Sequence, residues 1–525
     1  MSSMSARAAK ARIHSHDEVA LLDIREHGQY GEGHPFLSVH CPYSSLETEL
    51  LRLVPHIHAE IILMDDGDGL AQRAVKILCE MGYTRVCWIE GGATAWAAAG
   101  YTHFKGVNLP SKTLGELVEH RDQPRMITAE ALHHWIESGQ SFALFDCRPP
   151  GEFSKMTLPG ARCVPNGELA HRIGGLVQDP SLPIVITCAG RTRGLIGWAG
   201  LAALDLPNPV YAVENGTQGW ALAGYSLQRK NARPEMPPVT AESLAQSRTR
   251  AEAMIRSHGL REIEPGEFLE LAQDPSRCLF LVDVRSEEEF AQGHLPGAEH
   301  AWSGQIVQAT DLTVGLRRAR IVLSDDTGLR AALAAIWLRA LGYEPLILRR
   351  TRPADLPPSW RQHVPRHPAA EPLQPIPPAE ASRLLVSGGA TLLDLRSSQA
   401  YRRQHPRDAV WGTRARLAGH PRLRPGVSVI LVHDDSQQCA FIGRELSEQG
   451  VRVLGELHGG LRAWTAAGLD TVASPMDPPD RDCIDFLFFV HDRHDGNLES
   501  ARRYLEWETG LIAQLDAQEQ ASFRL

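Results

Sequence analysis

Apolar runs that close on an Asp-x-Arg triplet recur along the chain: LLDIREHGQY from Leu21, LFDCRPPGEF from Leu144, LVDVRSEEEF from Leu281 and LLDLRSSQAY from Leu392. Each is followed by a second short run rich in Ile and Val: EIILMDD from Glu60, PIVITCAG from Pro183, RIVLSDD from Arg320 and VSVILVHDD from Val427. Runs of this length without polar alternation read as strands buried on both faces. A helical stretch comes next, such as GLIGWAGLAAL (194–204) or AALAAIWLRALGY (331–343). A third strand then enters a Gly-rich turn and a short helix, as in VCWIEGGATAWAAAGY (86–101) and VYAVENGTQGWALAGY (210–225). Strand and helix in alternation predict an α/β fold, a mainly parallel sheet with helices on both faces. The anchoring aspartates Asp23, Asp146, Asp283 and Asp394 lie more than a hundred residues apart, a whole-domain period and too long for a solenoid repeat.

The pattern predicts four units of one kind, at 1–105, 123–230, 250–362 and 376–475, and a helical C-terminal tail at 476–525. In the third unit LILRRTRPADLPPSW (346–360) replaces the Gly-Gly-x-x-x-Trp turn, so its last helix is expected to be lost. Proline-rich joints, NARPEMPP (231–238) and PRHPAAEPLQPIPP (365–378), read as linkers. In the tail, Tyr504, Trp507, Leu511 and Leu515 fall at helical spacing. They are expected to pack on a neighbouring unit, and a homo-oligomer contact is the other use open to them.

Composition narrows the function classes. At 525 residues the chain exceeds one hydrophobic core, and its formal charge of −9 argues against a nucleic-acid binder, which would show a basic face. No apolar run approaches the roughly 18 residues that span a bilayer, and the basic N-terminal stretch has no apolar segment behind it. The expectation is a cytoplasmic protein without membrane contact. Nine cysteines, an odd number without CxxC or Cys/His zinc spacing, predict no disulfide framework, no metal and no cofactor. The histidines at 56–58 and 133–134 read as surface residues.

The strands ending in Asp-x-Arg, GHLPGA (293–298), the Gly-Gly-x-x-x-Trp-x-x-x-Gly endings and CAGRTRG from Cys188, in repeated order, resemble the rhodanese family over nearly the whole chain to about residue 475. The resemblance implies four tandem rhodanese-like domains, of which only the second carries the catalytic cysteine. It implies a sulfurtransferase that moves sulfane sulfur from thiosulfate or a related donor to a small thiol or a protein cysteine, through a persulfide on Cys188.

The residues around Cys188 support a reactive thiol. A free thiol is mostly protonated at neutral pH, so a nucleophilic cysteine needs a site that favours negative charge. Cys188 follows PIVIT and opens a loop, Ala189, Gly190, Arg191, Thr192 and Arg193, that feeds a helix N-terminus. Amides in such a turn form an anion nest, and the helix dipole adds to it. Gly190 is read as permitting a backbone conformation other residues avoid, and Arg191 and Arg193 as fixed charge for an anionic donor. Asp146 and Arg148 are expected to form an internal ion pair supporting the loops. Cys147 and Cys163 are candidates to resolve a persulfide into a disulfide, though sequence does not place their sulfurs. Unit two carries MTLPGA (156–161) where unit three has GHLPGA.

Aligned on the buried strand, Cys188 corresponds to Asp65, Asp325 and Asp434. A carboxylate occupies an anion nest and carries no sulfur, so those units are expected to be inactive, their Asp pairs capping helices and not binding metal. Two other readings compete. A phosphatase or arsenate reductase places its arginine six residues after the cysteine, whereas Arg193 is five on and the loop is shorter. A rhodanese-fold scaffold or redox-sensing binding protein would use the units for docking.

Overall fold

The structure, a computed structural model, describes residues 2–491 and 497–525. In the second unit the strands run, across the sheet, Met126–Ile127, Val210–Val213, Ile184–Thr187, Ala143–Asp146 and Arg162–Cys163, and every neighbouring pair is parallel. The central pair, IVIT and ALFD, is buried along nearly its whole length, as uninterrupted apolar runs require. Three further five-stranded parallel sheets repeat this order, centred on Glu60–Met64, Arg320–Ser324 and Ser428–Val432. In the third unit a short turn at Pro353–Asp355 stands where the others have the helices Gly92–Ala98, Gly216–Leu222 and Gly460–Ala466.

The first three units share a continuous buried apolar cluster that runs from Leu22 through Ile186 and Cys188 to Leu338. The third unit's helix Leu329–Ala340 is apolar on almost every side and is buried accordingly. Its Arg330 is wholly buried and donates to Glu168 of the second unit at 2.6 Å and to its own Asp325 at 3.0 Å. The fourth unit keeps separate cores and docks on the first through Arg414, clamped by Glu47 at 2.7 and 2.6 Å.

Two helices fall where the sequence pattern placed no element. Leu109–Asp122 joins the first and second units, with proline in its first turn. Ala241–His258 crosses the expected start of the third unit at 250, and Thr240 caps it by accepting from the Ser243 amide at 3.1 Å. The tail contains a 3-10 turn at Asp480–Asp482, the helix Leu498–Thr509, and short helices at Phe488–His491, Leu511–Gln514 and Ala517–Gln520. Leu511 and Leu515 join the apolar cluster of Trp96 and Phe104, so the tail packs on the first unit. Among the described residues no helix is long and apolar enough to cross a membrane.

Candidate active site

Cys188 is the residue immediately after the central strand Ile184–Thr187, and the helix Thr192–Ala202 starts four residues on. The Gly-rich turn of the same unit holds the loop from behind. The Thr217 amide donates to the Cys188 carbonyl at 2.8 Å and the Gln218 amide to that of Ala189 at 3.1 Å. This approach requires Gly216, whose φ is +52° and where a Cβ would stand 2.3 Å from the Cys188 carbonyl oxygen. Gly190 has a different role from the expected one. It is not in the left-handed region; instead, its missing Cβ leaves room, since that atom would lie 3.3 Å from Glu508 Oε2 and 3.4 Å from Gln218 Nε2.

Of the nine cysteines, all free, Cys188 alone has its pKa lowered from the ordinary 9.0; burial raises the others. The main cause is a hydrogen bond from the Cys147 thiol, opposed by burial and supported by the Arg193 charge and the amides of Gly194 and Gly190. Register explains the pairing: Asp146 lies opposite Thr187 on the neighbouring parallel strand, so Cys147 and Cys188 leave their strands side by side. The Cys147 thiol also reaches the carbonyls of Thr187 at 3.1 Å and Arg193 at 3.5 Å. It has one proton, and a thiolate at Cys188 outcompetes a neutral carbonyl for it. Cys163 points elsewhere, donating to the Arg148 carbonyl at 3.4 Å.

The loop arginines are not free to hold an anion, contrary to the sequence-based expectation. Arg191 is clamped by Glu116, at 2.7 and 2.9 Å, and by Glu119, both on the linking helix. Arg193 is engaged by both oxygens of Glu152. These carboxylates are distant in sequence from the loop, and although Glu152 lies within the LFDCRPPGEF segment nothing local ties it to Arg193, so the alignment of the loop alone did not expose them. Arg193 still supports the Cys188 charge through space. The cation left without an ion-pair partner at the loop, among the described residues, is Lys112, whose Nζ donates to the Val107 carbonyl at 2.7 Å and faces the rings of Tyr504 and Trp507.

Over the loop lies a cavity of about 220 Å³, lined by Cys188 and the whole 189–193 segment. The second unit does not close it alone. Lys112 comes from the linking helix, Gln305 and Gln308 from the third unit, and Tyr504 and Glu508 from the tail. Thr192 Oγ1 donates to Glu508 Oε1 at 2.9 Å, tying the tail to the start of the loop helix. Sequence reasoning missed Lys112, Gln305, Gln308 and Glu508, and read Tyr504 only as a packing residue of the tail. Gln218 was within reach of it, two positions beyond Gly216 in a turn that packs on the loop.

Asp146 and Arg148 sit beneath, with Arg148 Nε on Asp146 Oδ1 at 2.9 Å and Nη2 on Oδ2 at 2.7 Å. The same pair recurs as Asp23–Arg25, Asp283–Arg285 and Asp394–Arg396. Each arginine also donates to a carbonyl eight residues on. In units one, three and four the following residue is a histidine stacked on an aromatic ring: His34 on Tyr30, His294 on Phe290 and His405 on Tyr401. Unit two has Thr157 there, which donates to Asp146 Oδ2 at 2.6 Å and fixes the pair directly.

In units one and three the nest is filled by the chain itself. Asp65 accepts from the amides of Gly67 and Ala71, both at 2.9 Å, and Asp325 from that of Arg330 at 2.9 Å. The fourth unit corrects the sequence alignment. Asp394 pairs with Val432, so the residue in the Cys188 position is His433, and Asp434 is one further on. Asp435 caps the following helix by accepting from Gln437 at 2.8 Å. The run VSVILVHDD contains no internal marker of where the strand ends, hence the slip. His56 is likewise not a surface residue: it is buried against His58 and His363, with ring centroids 5.2–5.4 Å apart. Among the described residues no cluster of His, Cys, Asp or Glu is arranged to hold a metal.

Fold and site together define a tandem α/β protein in which one unit places a buried cysteine, Cys188, at the end of the central strand of a parallel sheet. The rhodanese-like domain family matches residues 5–99, 128–223 and 264–349. The chain belongs to that family, and the fourth unit, outside those spans, repeats the same strand order. Among solved structures it is similar to a thiosulfate sulfurtransferase from Pseudomonas aeruginosa, 32% identical, covering 100% of both chains with a TM-score of 0.90. Dihydroorotases from Anaeromyxobacter sp. (strain K) and Anaeromyxobacter dehalogenans align at 28% identity over 142 residues, 27% of this chain. The chain thus spans about a third of the length of these curated relatives, 32%.

Proposed function

We propose that the protein is a sulfurtransferase that carries sulfur on Cys188, with thiosulfate or a related sulfane donor as the source. The observation that carries this reading is the contrast among the nine thiols: Cys188 alone is held toward the thiolate, inside a loop whose amides face the sulfur. The Cys188 thiolate attacks the outer sulfur of thiosulfate. The S–S bond breaks, sulfite leaves with the electron pair, and the outer sulfur remains as a persulfide. A thiophilic acceptor then attacks that sulfur and returns Cys188 to the thiolate, a double displacement with ping-pong kinetics.

One feature favours sulfur over phosphate transfer, and another bears on the acceptor. Both loop arginines are spoken for by glutamates, and no free guanidinium remains to clamp a phosphoryl group. Cys188 itself is buried, 2% exposed, which favours small acceptors over a protein cysteine. The test is intact mass after incubation with thiosulfate and removal of excess reagent. The expected outcome is one added sulfur atom on the wild type and none on Cys188→Ser; equal masses for the two would sink the proposal.

A further inference from the structure

The cavity over Cys188 contains an unusual concentration of unmet polar groups. Gln218 Nε2 and Oε1, Gln305 Oε1, Gln308 Oε1 and Glu508 Oε2 are all buried, and none has a hydrogen-bond partner among the described residues. Gln218, Gln308 and Glu508 are each at least nine-tenths buried. A buried polar atom without a partner keeps its desolvation penalty, so such a cluster marks a place completed by a polar molecule.

The charges say what kind. Glu508 spends one oxygen on Thr192 and turns the other toward the open space at Gly190, close to the catalytic loop. Lys112 gives one N–H to the Val107 carbonyl and has two left, and its ammonium lies 5.2 Å from the Tyr504 ring. Tyr504 and Glu508 are four apart on one helix, so they share the face that lines the cavity together with Lys112. An anionic ligand alone faces Glu508, and a cationic one faces Lys112. A molecule carrying both charges satisfies both.

We propose that this cavity binds a zwitterionic amino-acid thiol as sulfur acceptor, with its carboxylate on Lys112, its ammonium on Glu508 Oε2 and its sulfur toward Cys188. The assignment rests on the sulfur-transfer reading for its chemistry and on the orphaned polar groups for its site. The acceptor thiol attacks the outer sulfur of the Cys188 persulfide anion. The bond from that sulfur to Cys188 Sγ breaks, its electron pair returns to Cys188 as thiolate, and the thiol proton leaves on the new amino-acid persulfide. Atoms and charge balance without an outside oxidant.

Binding is tested apart from transfer. The full chain is titrated calorimetrically with S-methyl-L-cysteine, which cannot accept sulfur, and with two analogues, 3-(methylthio)propionate without the ammonium and 2-(methylthio)ethylamine without the carboxylate. S-methyl-L-cysteine is expected to bind about tenfold or more tightly than either analogue, the worth of one charge-assisted contact. Glu508→Gln is expected to abolish the preference over 3-(methylthio)propionate, and Lys112→Met the preference over 2-(methylthio)ethylamine. No binding of S-methyl-L-cysteine, equal binding of all three compounds, or a preference that survives both substitutions overturns the assignment. The comparison of analogues on the wild type needs no variant to fold. Binding as expected on a protein that takes no sulfur from thiosulfate would leave this site standing and overturn the reaction instead.

Discussion

The loops after Met64 and after Thr187 start from one scaffold and end in different chemistry. Both follow the central strand of a parallel sheet, both sit above a buried Asp–Arg pair, and both are backed by a Gly-rich turn. In the first unit Asp65 accepts the loop amides and closes the nest. In the second, Cys188 leaves those amides turned toward a sulfur whose charge they stabilise. The architecture therefore supplies an anion site in the first three units, and one side chain decides whether the chain or a substrate fills it.

Exchanging that side chain has the largest effect. Cys188→Asp is expected to reproduce the self-filled nest, leaving thermal stability near wild type while sulfur transfer to cyanide falls about a thousandfold or more. Residual turnover near the wild-type rate would contradict the comparison. Next come the two backing glycines, where a Cβ would stand 2.2 Å from the Asp65 carbonyl at Gly92 and 2.3 Å from that of Cys188 at Gly216. Alanine at either is expected to cost about 1–3 kcal/mol in chemical denaturation, but only Gly216→Ala should also lower transfer.

Smaller effects sharpen the electrostatics. Because the Cys188 pKa is depressed, the thiolate is complete above the ordinary thiol range and is lost only as pH falls through the depressed value. Arg193→Met removes a charge that holds it down, so the acid limb of the alkylation–pH profile is expected to move to higher pH. The rate at neutral pH should fall about tenfold. Cys147→Ala should move the limb the same way with a rate loss of about twofold to tenfold, and Cys147→Ser should recover part of it because a hydroxyl also donates. Unchanged profiles in both Cys147 variants would mean that the neighbouring thiol is packing alone.

What the sequence disclosed follows from range. Strands such as IVIT, the Asp-x-Arg turns and the position of Cys188 are local patterns, and they were legible. The glutamates that occupy Arg191 and Arg193 lie 75 and 41 residues away, and Glu508 is 316 residues from the Thr192 it contacts. Glu116, Glu119 and Glu508 belong to no motif, and Glu152, though inside the LFDCRPPGEF segment, carries no sign there of its contact with Arg193, so the site read as more cationic than it is. The helix Ala241–His258 escaped notice because its apolar positions are few. His433 was displaced by one because an apolar run does not announce its last paired residue.

The tie from Thr192 to Glu508 also sets a schedule. Chains emerge from the ribosome at about 5–20 residues per second, so the 316 residues between these partners correspond to a delay on the order of half a minute. During it the Cys188 loop is already made and its ceiling is not. Until the helix Leu498–Thr509 arrives, Cys188 stands in an open bowl, and that helix turns the bowl into a chamber.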